Sequence, residues 1–143
     1  MLKGIPKIIS PDLMKILLEM GHGDEIVLAD GNFPAASCAT KLIGSEGHGI
    51  PEVLEAILKF FPLDTYSNYS VSLMKVVEGD PIVPSIWETY DSVIKKHDNH
   101  FDGFEMVDRF AFYERTKKAY AIVATSESAL YANMILKKGV VTD

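Results

Sequence analysis

A histidine held between two glycines is the first feature of this sequence with chemical potential. Gly21-His22-Gly23-Asp24-Glu25 leads into the apolar run Ile26-Val27-Leu28-Ala29, which ends at Asp30. The two glycines free the backbone and present the imidazole. An imidazole titrates near neutral pH, which suits proton transfer. Asp30 stands just past a strand-like run, where ligand contacts gather in open α/β sheets. On this pattern alone a plainer account carries more weight: His22 is a loop histidine, and Asp24 and Asp30 are caps or turn formers.

Two further stretches offer binding chemistry. Asp108-Arg109-Phe110-Ala111-Phe112-Tyr113-Glu114-Arg115 packs two arginines, two phenylalanines and a tyrosine into one short amphipathic segment. Arginine offers fixed donors to a hydroxyl or carboxylate, and aromatic faces suit the C–H face of a sugar. Periodicity favours the ordinary alternative, with the aromatics in a core and Glu114 and Arg115 in solvent. Tyr131-Ala132-Asn133 precedes the apolar Met134-Ile135-Leu136. In extended backbone, side chains two apart share a face, so Tyr131 and Asn133 can line one site. A turn before a final strand explains the same residues.

Other motifs carry less. His97-Asp98-Asn99-His100 resembles a metal-binding run, but it lies in a polar loop with no further ligand near in sequence. Gly44, Gly47 and Gly49 flank His48 without matching a phosphate loop or a dinucleotide fingerprint. There is no nucleophile elbow around a serine. Cys38 is the sole cysteine, which excludes an internal disulfide and a cysteine metal cage.

The elements that must position these residues are short and alternate in type. Ser10-Pro11-Asp12 reads as N-cap, first helical residue and first-turn acid. Leu13, Ile16, Leu17 and Met20 follow at helical spacing, with Gly21 as a stop. Pro51 opens a second helix with Val53, Leu54, Ile57, Leu58 and Phe61 on one face. Ile86 to Lys96 gives a third, and Phe110 to Lys118 a fourth. Ile26–Ala29, Val71–Val77, Ala119–Ala124 and Met134–Leu136 read as strands buried on both faces. Helices alternating with buried strands imply an α/β fold, a mixed sheet covered by helices in three layers.

Size and charge narrow the functional classes. The chain has 143 residues, 48% hydrophobic and 24% charged, which fits one domain over 1–143. Its formal net charge of −6 argues against a nucleic-acid binder and against anchorage on an anionic membrane. No apolar stretch approaches a membrane span, and Met1 to Ser10 does not read as a signal peptide. A cytoplasmic location is the expectation.

Together these segments resemble the L-fucose mutarotase and D-ribose pyranase family. The resemblance runs over nearly the whole chain. It includes Leu2-Lys3-Gly4-Ile5-Pro6, Met20 to Asp30, Asn32-Phe33-Pro34, Pro62-Leu63-Asp64-Thr65-Tyr66, Arg109 to Arg115, and Tyr131 to Gly139. The Arg109 stretch and the Gly-His-Gly-Asp loop resemble the fucose branch. The resemblance implies a cofactor-free isomerase that interconverts the α and β anomers of L-fucose. It implies His22 as the general acid, with Asp30, Arg109, Tyr131 and Asn133 binding the monosaccharide. It also implies self-association, with a decamer built from pentamers as the expected homo-oligomer. Gly31 departs from relatives that often carry Ala or another residue there; it can loosen the loop beside Asp30 without removing the function. The alternatives are a ribose-type pyranose–furanose interconversion and a non-catalytic sugar-binding module.

Overall fold

The computed structural model describes residues 1–143. Helix α1 spans Pro11–Glu19 and starts as its sequence predicts: the Ser10 hydroxyl accepts the Leu13 N–H at 3.1 Å, and Pro11 occupies the first turn. Met20 then turns extended, ahead of Gly21. Strand β1 is Glu25–Ala29, followed by a short helix α2 at Ala35–Cys38 and strand β2 at Leu42–Ser45. Helix α3 covers Ile50–Leu58, with Gly49 N–H bonded to Glu52 Oε1 at 3.0 Å. Strand β3 is Val71–Met74, helix α4 Ile86–His97, strand β4 Glu105–Val107 and helix α5 Arg109–Lys118. Strands β5, Ala121–Thr125, and β6, Met134–Lys137, complete the chain.

All six strands form one sheet in the order β2-β5-β1-β6-β3-β4. Strands β2, β5 and β1 run parallel, as do β3 and β4. Strand β6 lies between β1 and β3 and runs antiparallel to both. The sheet is mixed, and the C-terminal ends of β1 to β5 share one edge.

The side-chain period of two assigns each strand residue to a layer. On one face, Ile26, Leu28, Leu73, Val123, Met134 and Leu136 pack with Leu13 and Ile16 of α1, Val53, Leu54 and Ile57 of α3, and Tyr90 and Ile94 of α4. On the other, Val27, Ala29, Ile122 and Ile135 pack with Phe112 of α5 and with Phe33 and Ala35 around α2. Fully burying one such aliphatic side chain is worth about 1.5–3 kcal/mol, so both layers are pinned. This is the expected three-layer α/β arrangement.

Three elements went unread in the sequence, and each is short. Strand β4 has three residues at one sheet edge, and α2 has four. Strand β2, at the other edge, alternates exposed and buried side chains. The expected strand 71–77 stops at Met74, because the chain turns away at Lys75 after its N–H bonds the Val107 carbonyl.

Candidate active site

Four of the five candidate residues meet at the C-terminal edge of the parallel strands. Asp30 follows β1 and is buried. Its N–H donates to Asn133 Oδ1 at 2.7 Å, and its own Oδ1 accepts the Asn32 N–H at 2.9 Å. Asn133 reaches Asp30 because β6 is antiparallel to β1, with Met134 opposite Leu28. Burial pushes the Asp30 carboxyl above the ordinary aspartate value, although the N–H groups of Asn32 and Phe33 pull against that rise.

Tyr131 is held from three sides. Its φ of 56° makes it the only non-glycine residue in the left-handed region, a costly conformation that needs surrounding support. Helix α4 supplies that support: Trp87 Nε1 donates to the Tyr131 carbonyl at 2.8 Å, and the Tyr90 hydroxyl donates to the Ala132 carbonyl at 2.7 Å. The Tyr131 hydroxyl donates to Asp80 Oδ2 at 2.5 Å and accepts the Val77 N–H at 3.3 Å. The Asp80 bond raises the pKa of the phenol.

Arg109 opens helix α5 and lies exposed on the same edge. Its guanidinium stands 5.7 Å from the ring centres of Phe110 and Tyr113, and its Nε donates to the Tyr113 hydroxyl at 3.4 Å. It borders an open groove of about 440 Å³ that also takes in Lys75, Val77 and Asp108. Val77 joins this groove to Tyr131. The edge therefore presents an acceptor-only carboxylate, a donor-only guanidinium, and amide and phenol groups of both kinds, which suits a polyol.

Gly31 packs closely at this edge. Its N–H donates to the Glu127 carbonyl at 2.8 Å. A Cβ there would lie 3.3 Å from the same oxygen, so glycine permits the close approach.

His22 is elsewhere. It precedes β1 and lies at the opposite sheet edge, half exposed. Its loop is closed by Asp24 Oδ2, which accepts the Gly21 N–H at 2.7 Å, and by Lys138 O, which accepts the Gly23 N–H at 2.8 Å. Gly23 has φ 87°, which only glycine adopts freely. His22 Nε2 bonds Asp64 Oδ1 at 3.0 Å, and its ring packs against Tyr66 at 5.1 Å. Within one chain the structure thus brings Asp30, Arg109, Tyr131 and Asn133 to one edge and leaves His22 at the other.

Sequence reasoning attached no role to Asp64, Asp80, Trp87 or Tyr90. Of these, only Asp64 sits in a motif that the resemblance had marked, Pro62 to Tyr66. The His97 run holds no metal cluster; His97 Nε2 instead meets Glu55 Oε1 at 3.0 Å, and no group of three or more His, Cys, Asp or Glu side chains is arranged to hold an ion.

A single α/β domain with a six-stranded mixed sheet and a polar edge at the strand C-termini is the class of protein that the fold and site define. The chain belongs to the RbsD / FucU transport protein family, whose model matches residues 3–141. It is 51% identical to the fucose mutarotase of Danio rerio, over 98% of this chain and 94% of that one. It is 49% identical to the L-fucose mutarotase of Actinobacillus pleuropneumoniae serotype 5b, over 98% and 97%. Among solved structures, the fucose mutarotase from Streptococcus pneumoniae in complex with L-fucose superposes with a TM-score of 0.94 at 59% identity, over 99% of this chain and all of that one. The Bacillus subtilis RbsD complexed with D-ribose shares the fold, with a TM-score of 0.73 at 21% identity.

Proposed function

We propose that this chain is an L-fucose mutarotase, an isomerase that interconverts the α and β anomers of L-fucose. The observation that carries the reading is the match to the Streptococcus pneumoniae fucose mutarotase solved with L-fucose, which runs over nearly the whole chain in sequence and backbone. The polar edge around Asp30 is consistent with it.

The chemistry moves protons only. A proton goes to the ring oxygen as the anomeric hydroxyl loses one, and the C1–O5 bond opens to the aldehyde. Rotation about C1–C2 and closure on the other carbonyl face give the second anomer, with both protons returned. Neither oxidation nor a covalent adduct enters this balance, and we expect no cofactor. A single general acid–base group contributes typically about 10²–10⁴-fold, enough for a reaction that already proceeds in water. His22 is the general acid in this scheme. Asp30 accepts bonds from sugar hydroxyls, Arg109 donates to them, and Tyr131 and Asn133 complete the binding edge.

His22 reaches that edge from an adjacent subunit. The five residues of β1 between His22 and Asp30 span roughly 16 Å, more than one monosaccharide bridges. A homo-oligomer, a pentamer-based decamer by family resemblance, sets one copy's His22 against another's Asp30. Exposed Met1, Leu2, Leu18, Phe60 and Val141 supply apolar surface for such contacts near the His22 edge. The cytoplasm is the expected compartment, consistent with the free thiol of Cys38.

Saturation-transfer NMR with L-fucose, D-ribose and D-galactose tests the reading, run before and after dialysis against a chelator. Fast exchange between L-fucose anomers in both samples is expected. Binding without exchange marks a sugar-binding module, preferential pyranose–furanose exchange of D-ribose marks a pyranase, and either overturns the proposal.

A further inference from the structure

The loop after α3 is built around one carboxylate. Asp64 is buried, and its N–H donates to the Lys137 carbonyl at 3.0 Å. Its Oδ1 accepts the Tyr66 N–H at 3.1 Å and faces His22 Nε2 at 3.0 Å. Its Oδ2 accepts the Ser67 N–H at 3.1 Å and the Ser67 hydroxyl at 2.6 Å. Every oxygen position toward the protein is therefore met by a donor. Burial pushes this carboxyl up, but the bonds from Ser67, Tyr66 and His22 outweigh burial and hold it well below the usual carboxylate range.

The end of β6 is shaped to keep Asp64 there. Gly139 N–H donates to the Pro62 carbonyl at 2.8 Å. A Cβ on Gly139 would lie 2.5 Å from the Leu63 carbonyl oxygen and 2.9 Å from Asp64 Cα, so only glycine lets the two segments touch. Lys138 bonds both sides of the His22 loop, accepting from Gly23 N–H and donating to the Asp24 carbonyl. The histidine loop is thus fastened to Lys138, and the carboxylate loop to Lys137 and Gly139 on either side of it.

From this arrangement we infer that Asp64 is the positioning residue of the proposed reaction: it fixes the proton of neutral His22 on Nε2 and turns Nδ1 toward the sugar as the atom that gives and takes the proton. An ionised carboxylate only accepts, so Nε2 facing it must carry hydrogen; in a neutral imidazole Nδ1 is then the free acceptor. Nδ1 makes no bond within the chain, and the side chain is 44% exposed. The other titratable groups on elements packed about this histidine are Tyr66 from the carboxylate loop, Asp24 from its own loop and Lys138 from the end of β6. Asp24 is occupied by Gly21 N–H, so Asp64 alone addresses the ring nitrogen. Asp64 keeps its charge throughout, as the carboxylate of a Ser-His-Asp triad does.

The inference rests on the mutarotase reading for its chemistry, but the tautomer is readable without turnover. In 15N-histidine-labelled protein, solid-state 15N spectra at a pH where histidines are neutral identify the protonated nitrogen, with His22 assigned by its loss in His22→Ala. Nε2–H is expected; Nδ1–H in the wild-type protein overturns the inference. Asp64→Asn retains an acceptor for the loop N–H groups but can turn its amide toward the ring. It should mix or reverse the tautomer and slow anomer exchange by about 10²–10⁴-fold, with L-fucose affinity changed less than about threefold. Unchanged exchange in folded Asp64→Asn also overturns it. If that variant fails to fold, the wild-type tautomer decides. If the wild-type protein exchanges no L-fucose anomers, the functional reading fails while the tautomer still tests Asp64.

Discussion

His22 and Asp30 stand at opposite ends of the same strand, with all of β1 between them. On the proposed reading, with both residues serving one monosaccharide, the site is shared between subunits and activity is a property of their interface. Mixing His22→Ala with Asp30→Ala subunits, each impaired alone, should raise anomer exchange above that of either variant at sub-saturating L-fucose. At equal amounts about a quarter of head-to-tail interfaces receive both intact residues. Light scattering should show an assembly well above the 15.8 kDa chain mass. A monomer at micromolar concentration, or mixed subunits that assemble and exchange no faster than either variant, would refute the shared site.

His22→Ala and Asp30→Ala should fail differently. Loss of the acid should slow exchange by about 10²-fold or more while L-fucose binding weakens modestly. Loss of Asp30 removes an acceptor from a buried edge and should weaken binding more clearly, by about 1–3 kcal/mol. Exchange by NMR beside calorimetric affinity separates the two, with circular dichroism to confirm folding. Near-normal exchange in folded His22→Ala would transfer the acid role to Tyr131.

In its proposed sugar-binding role, Asp30 should also set the acid limit of binding. Its carboxyl titrates above the ordinary aspartate value, chiefly through burial, and a carboxylate accepts hydroxyl donors best when ionised. As pH falls, affinity for L-fucose should therefore drop earlier than an ordinary aspartate would dictate. Titration calorimetry across the acid range should show this drop in the wild-type protein and a flat profile in Asp30→Asn. Parallel profiles would assign the pH dependence to another group.

Arg115 clamps the face opposite α1. Its Nε and Nη2 bond both oxygens of Glu25, and its Nη1 bonds Glu105 Oε1, which also accepts the Ser72 hydroxyl. Arg115→Met leaves two half-buried carboxylates unpaired. Breaking a fully buried pair costs about 3–5 kcal/mol, and partial exposure reduces this to about 2 kcal/mol. The melting temperature should fall by about 5 °C near neutral pH. Ser72 and Arg115 hold Glu105 below the ordinary glutamate value. A depressed folded value stabilises fully above the unfolded one and is lost as pH falls through the folded one, so the gap between variant and wild type should narrow in acid. Thermal melts by circular dichroism at several pH values check both points.

Local chemistry made much of this protein legible from sequence. Ser10 caps α1 at the residue its type predicts, because a cap acts within one turn. The run Ile26–Ala29 is buried on both faces, as a short continuous apolar run between turn residues is expected to be. The candidate residues were legible as types in suggestive company, and the family resemblance assigned their roles. Strands β2 and β4 were not legible: at the sheet edges they are short and need little apolar sequence. Tertiary structure alone decided which residues meet. Antiparallel β6 between β1 and β3 sets Asn133 against Asp30 at one edge and Lys138 against Gly23 at the other. It also brings Asp64 to His22 across 42 residues of sequence. Strand pairing joins segments far apart in the chain through backbone groups common to every residue. The sequence therefore carries the type of each side chain, while pairing order determines which end of the sheet it serves.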